Sequence, residues 1–204
     1  SRQEVDEFAL SFCYHNNKGT RRRLVEALLS APPTALEVLP HYARLIAIMD
    51  RAFKGVAPAV EAALEAEFYR LWRWKKQLRA TYRVRNVRLM AELVKFRCFD
   101  FRLALKCFRR CARDFTPQDV EVACHFLETC GRFLLMSPET SGPMRLALGM
   151  FDRMKAARAH DRDVQQRIEV AIASCKPGQP PLTQHRELTE MELFARHLLS
   201  GAVL

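Results

Sequence analysis

At 204 residues and 49% hydrophobic content, the chain is long enough for one large domain whose core removes roughly 70% of its unfolded surface from water. Collagen-like and disordered classes are excluded, and apolar runs such as Leu45 to Met49 fall far short of the roughly 20 residues that span a bilayer. A formal net charge of +10 fits association with nucleic acid or acidic partners and says nothing of fold.

Helix breakers are absent from the middle of the chain. No glycine occurs between Gly55 and Gly131, and no proline between Pro58 and Pro117. Apolar residues there recur at spacings of three and four, the period of a buried helix face. A first helix is expected from Gln3 to Tyr14, with Val5, Phe8, Ala9 and Phe12 on one side. Asn16-Asn17-Lys18-Gly19 reads as a turn, after which Thr20 caps a helix to Leu29. Pro32-Pro33 breaks that helix, and Thr34 with Glu37 has capping-box spacing. Pro40 suits the first position of a helix carrying Tyr42, Leu45, Ile46 and Met49. A long helix from Pro58 places Val60, Leu64, Phe68, Leu71 and Trp72 inward. Two more follow, one from Tyr82 to Arg97 and one capped by Asp100.

Thr116-Pro117-Gln118-Asp119 is the clearest start signal: a capping hydroxyl, a proline at the first helical position and an acid at the third. That helix is expected to reach Leu135. Another is expected from Pro143 to Ala157, and Asp161 opens one reaching Cys175. The pattern predicts about ten helices in about five antiparallel hairpins, an all-α solenoid of HEAT type. The solenoid domain is placed at 1–176. Residues 177–204 are expected to hold a Pro/Gly-rich linker and a short amphipathic helix from Thr183 to Ser200.

The seven cysteines form no C-x-x-C pair and most fall on apolar faces, which points to a reducing compartment, cytoplasm or nucleus. The N-terminus is polar and has no signal-peptide pattern. With Ser1 in place of an initiator methionine, the chain is expected to be a piece of a longer protein. No nucleotide-binding or nucleophile-elbow motif occurs, and the six histidines are scattered. No catalytic residue, metal site or cofactor is therefore expected.

Two surfaces are candidates for binding. Between Arg70 and Arg88 lie eight cations and no acid: Arg70, Arg73, Lys75, Lys76, Arg79, Arg83, Arg85 and Arg88. Tyr69, Trp72, Trp74 and Tyr82 interleave with them. This could be a strip for a phosphate backbone, or only the solvated faces of two helices, with Trp72 in the core. The helix after Pro117 is the second. Glu121, His125, Glu128 and Arg132 follow at steps of four, three and four, with Asp119 at their start. They form one outward ridge, either a receptor for a cationic partner or a solvated face. Gly131, inside that helix, costs about 1 kcal/mol against alanine, and its expected reason is the close approach of a neighbouring helix.

Three stretches carry a family resemblance. They are Leu36 to Leu45 (LEVLPHYARL), Val87 to Phe96 (VRLMAELVKF), and Glu121 to Leu134 (EVACHFLETCGRFL) with Ser137-Pro138-Glu139 after it. They resemble the middle-of-initiation-factor-4G domains, and most closely the third such domain of the up-frameshift two family. The resemblance implies a helical-hairpin scaffold in nonsense-mediated mRNA decay. It implies binding to the RNA-recognition-motif domain of the up-frameshift three protein, whose basic residues would meet Glu121 and Glu128. It also allows RNA contact. The family's binding segment for the up-frameshift one helicase lies beyond the linker, and nothing after Leu182 resembles it, so that helicase is not an expected partner of this chain. The expected location is cytoplasmic, with the perinuclear region as an alternative.

Overall fold

A computed structural model of the chain describes residues 2–73, 80–158 and 161–176. The linker from 177 onward and the C-terminal helix expected over Thr183 to Ser200 lie outside the described residues. The helices are α1 (Arg2–Tyr14), α2 (Lys18–Leu29), α3 (Leu39–Ala52), α4 (Val56–Arg73), α5 (Ala80–Lys95), α6 (Phe101–Asp114), α7 (Pro117–Phe126), α8 (Arg132–Met136), α9 (Pro138–Ala157) and α10 (Arg162–Cys175). A π-helical turn, Leu127–Gly131, joins α7 to α8, so the two form one rod. Among the described residues there is no strand, and no helix is long and apolar enough to cross a membrane.

The helices stack as expected for an all-α solenoid. One row runs α1, α3, α5, α7 and α10, each packed on the next. In a second row α2 packs on α4 and α6 packs on α9. Leu64, Phe68, Leu71 and Trp72 all face the core, as the period required. In the second half, the Phe108 ring lies 5.2 Å from Phe126 and 5.5 Å from Phe151, and Phe115 adds a contact of 5.1 Å to Phe151. Such pairs add about 0.5–1.5 kcal/mol each beyond the area they bury.

Several boundaries differ from expectation, each for a local reason. α2 starts at Lys18, because Asn17 is the cap. The Thr20 N–H donates to Asn17 Oδ1 at 2.9 Å, and Thr20 Oγ1 accepts from the Asn17 N–H at 2.9 Å. Thr20 is thus the third helical residue of a reciprocal capping box. Thr34 caps nothing. The turn after Pro33 is a 3₁₀ segment, Leu36–Val38, with Ala35 at its cap position. α4 starts at Val56, and Asp50 from the end of α3 accepts the Ala57 N–H at 2.9 Å. α9 starts at Pro138 rather than Pro143. Ser137 with Pro138 is a helix start, and Pro143 sits inside the helix, where it forgoes one backbone hydrogen bond.

α5 is central: it packs on α3, α4, α7 and the π turn, and most of its residues are buried. A helix covered on so many sides must bury whatever its sequence places there. Arg83, Arg85, Asn86 and Glu92 are therefore interior. Arg85 donates to the Ala31 carbonyl at 2.7 Å and to Glu67 at 2.6 Å, and Asn86 donates to the other Glu67 oxygen at 2.8 Å. This network ties α5 to α4 and to the end of the α2 loop.

Candidate functional site

The ridge begins at Thr116, whose hydroxyl accepts the Asp119 N–H at 3.2 Å. Pro117 follows at the first helical position. Val120, Ala123, Cys124 and Leu127 then anchor the helix in the core. The reciprocal half of the capping box uses Asp119, and it also turns that residue inward. Asp119 is fully buried and paired with Arg83, whose guanidinium stacks on the Trp72 ring at 3.9 Å. Asp119 was expected at the start of the outward ridge. That placement is wrong, because α5 presents a buried cation that only an inward carboxylate neutralises.

Glu121 and Glu128 are both exposed on one side of the rod. The charge of each acts on both His125 and Arg167. Among the described residues no ion pair engages Glu121. Glu128 is held by a two-pronged contact from Arg167 of α10: Nη2 donates to Oε2 at 3.0 Å, and Nη1 donates to Oε1. Burial raises the Glu128 carboxyl, but the Arg167 hydrogen bond and charge outweigh it, helped by His125 and Arg88, and hold it below the ordinary value. His125 lies between, only 17% of its side chain exposed, with Nδ1 3.6 Å from Glu128. Burial pushes its pKa down, and the charges of Arg167 and Arg88 push the same way. Arg132 is exposed beyond the π turn.

The π turn has visible causes. Thr129 Oγ1 donates to the His125 carbonyl at 2.7 Å, and the Cys130 and Cys175 thiols lean on the carbonyls of Phe126 and Leu127. These side chains supply donors where the α-helical ladder is loosened. A Cβ on Gly131 would lie 2.4 Å from the Cys175 Sγ, so this glycine is the close approach of α10 that its position implied.

The basic segment does not form the strip that its sequence offers. Arg83 and Arg85 are buried and paired, so they present no free charge to solvent. Arg88 is half-buried, and Lys75, Lys76, Arg79 and Trp74 lie outside the described residues. Arg73 is exposed, and Arg70 is exposed with Glu67 3.7 Å away. A different basic face comes from α6, where Arg102, Lys106, Arg109, Arg110 and Arg113 are all exposed. Tyr69 of α4 sits against it, its ring 5.7 Å from the Lys106 ammonium. Sequence reasoning grouped cations by neighbourhood in the chain and missed this face, although spacings of four, three and four mark it as one side of a helix.

Residues 1–178 match the family model described as MIF4G domain. Over 194 residues the chain is 36% identical to "Regulator of nonsense transcripts UPF2" of Arabidopsis thaliana, covering 91% of this chain and 16% of that protein. Over 200 residues it is 33% identical to "Regulator of nonsense transcripts 2" of Homo sapiens, covering 98% of this chain and 16% of that protein. Over 195 residues it is 31% identical to "Nonsense-mediated mRNA decay protein 2" of Schizosaccharomyces pombe, covering 96% and 19%. The chain thus spans less than a fifth of the length of these relatives.

Proposed function

The chain belongs to the MIF4G domain family, and from that premise we propose that it is a non-catalytic scaffold module of the nonsense-mediated mRNA decay machinery. It corresponds to the third such domain of the up-frameshift two scaffold. It receives the basic surface of the RNA-recognition-motif domain of the up-frameshift three protein on the ridge of Glu121 and Glu128. The observation that carries this reading is the pairing of two exposed carboxylates on one side of a rod whose other side is fixed in the core. A preordered acidic surface loses little freedom when a cation docks. Calorimetry with the partner domain tests it. Glu128→Arg should weaken binding at least tenfold, about 1.4 kcal/mol, in a chain that stays folded with its thermal midpoint lowered by only a few degrees through loss of the Arg167 pair. Unchanged affinity overturns the assignment.

A second reading, RNA contact, is favoured by the exposed face of α6 rather than by the segment from Arg70 to Arg88. Arg102, Lys106, Arg109, Arg110 and Arg113 offer a phosphate backbone several contacts beside the exposed Tyr69. Each contact should steepen the salt dependence of single-strand binding by about 0.7 in log K per log salt. Reversing Arg109 and Arg110 to glutamate should flatten that slope, and an unaltered slope rejects this face.

A further inference from the structure

In the free chain Glu128 is already occupied by a residue of the same chain. Both oxygens of its carboxylate are engaged by the guanidinium of Arg167. A partner cannot add a second two-pronged cation to those oxygens without sharing or replacing the first.

Resting on the docking reading above, we infer that Arg167 is a specificity-determining residue of the ridge: an internal counter-ion that a cation of the partner must displace from Glu128. Three observations carry this. First, Arg167 is delivered by an anchored helix. Its backbone carbonyl accepts from the Cys124 thiol at 3.7 Å, and Cys175 at the end of α10 is packed against Gly131. The guanidinium therefore stays within reach of Glu128. Second, the pair is accessible, with 34% of the Arg167 and 29% of the Glu128 side chain exposed. A pair still about a third exposed is screened by water, is worth on the order of 1 kcal/mol even with both oxygens engaged, and can be exchanged. Third, the surroundings are asymmetric. Glu121 feels the charges of Arg167 and His125 but has no ion pair among the described residues, whereas Glu128 is in direct contact with Arg167 and also feels Arg88 and His125. A lone cation gains at Glu121 but meets like charge beside Glu128. A partner bearing two or more properly spaced arginines or lysines gains at both, since one anchors while the other competes. The device selects a multivalent basic surface over stray cations.

The test uses the purified chain and the RNA-recognition-motif domain of the up-frameshift three protein, with calorimetry on wild type, Glu128→Gln, Arg167→Met and Arg167→Lys. Arg167→Met keeps the aliphatic stem and removes the charge, and should tighten binding about two- to fivefold, equivalent to about 0.4–1 kcal/mol. Arg167→Lys keeps the charge and loses the fork, and should fall between wild type and Arg167→Met. A carbon-13 titration of Glu128 without partner should show its carboxyl rising towards the ordinary value in Arg167→Met. If Glu128→Gln binds like wild type, the docking reading itself fails. If Glu128→Gln binds more weakly while both folded Arg167 variants bind no tighter than wild type, the docking reading stands and the displacement inference is overturned. Should Arg167→Met loosen α10, Arg167→Lys decides on its own.

Discussion

Replacing Asp119 by asparagine removes one charge and almost no volume, and the structure assigns that change a large cost. The carboxylate is completely buried against Arg83, itself only 4% exposed in its side chain. Asparagine keeps an oxygen to accept the Thr116 N–H, so the helix cap survives in part and the charge is isolated as the variable. What remains is a guanidinium with no counter-ion in the interior, its Nε already without a hydrogen-bond partner, and only the Trp72 face for compensation. Breaking a buried pair on one side costs about 3–5 kcal/mol. For a domain of this size that lowers the thermal midpoint by roughly 6–20 °C. Denaturant unfolding of Asp119→Asn, Arg83→Met and the double variant measures it as a cycle. The double variant should recover most of the loss, since no unpaired charge is then buried. Stability of Asp119→Asn within about 0.5 kcal/mol of wild type would refute the buried pairing and return Asp119 to the surface.

Gly131→Ala should destabilise the chain by about 1–2 kcal/mol, because overpacking against the buried Cys175 Sγ outweighs the gain in helix propensity. Adding Cys175→Ala should relieve the clash, and a single variant as stable as wild type contradicts the close approach. Acid should weaken the fold in two steps. His125 is held below its ordinary 6.5, so the unfolded chain takes up its proton first, and stability present above about pH 6.5 is lost as pH falls. Glu128 is held below 4.5 and contributes stability that is lost at still lower pH. Replacing His125 by asparagine should flatten the decline between about pH 7 and 5.5, and an unchanged decline rejects the assignment. At the alkaline end, burial pushes the thiols of Cys107 and Cys124 up to about 12 and that of Cys175 to about 11. The unfolded chain loses these protons near pH 9, so stability should fall above that pH. Stability flat from pH 8 to 10.5 contradicts their burial.

Much of this architecture was legible in the residues because it rests on period and punctuation. Leu64, Phe68, Leu71 and Trp72 announce one buried stripe, and Thr116-Pro117 announces a start that the structure places at the same residue. Boundaries failed where two residues competed for one role. Asn17 and Thr20 are both good caps, and only the reciprocal bonding of the pair ranks them. Ser137-Pro138 reads equally as the end of one helix and the start of the next, and here it is both.

The charges were harder to place, because their partners are distant in sequence. Arg83 finds Asp119, Arg85 finds Glu67, and Arg167 finds Glu128 across three different helix contacts. A run of arginines therefore looked like a solvent-facing strip when part of it is the polar centre of the fold. Of the residues expected on the ridge, Glu121 and Glu128 are exposed, because they lie opposite the residues anchored in the core and not at the capped end of α7, whereas His125, expected on the same outward line, keeps only 17% of its side chain exposed. The π turn left no periodic signal that reading the sequence used, since it depends on Thr129, Cys130 and Cys175 meeting particular carbonyls.

The most direct measurement of the docking claim is zero-length carbodiimide coupling of the chain to the RNA-recognition-motif domain, with the linked carboxylates identified by mass spectrometry. Glu121 and Glu128 are predicted to be joined to lysines of the partner, while the buried Asp119 remains unlinked. Cross-links confined to other exposed acids such as Glu37 or Glu139, with both ridge residues unmodified in a saturated complex, would contradict the account.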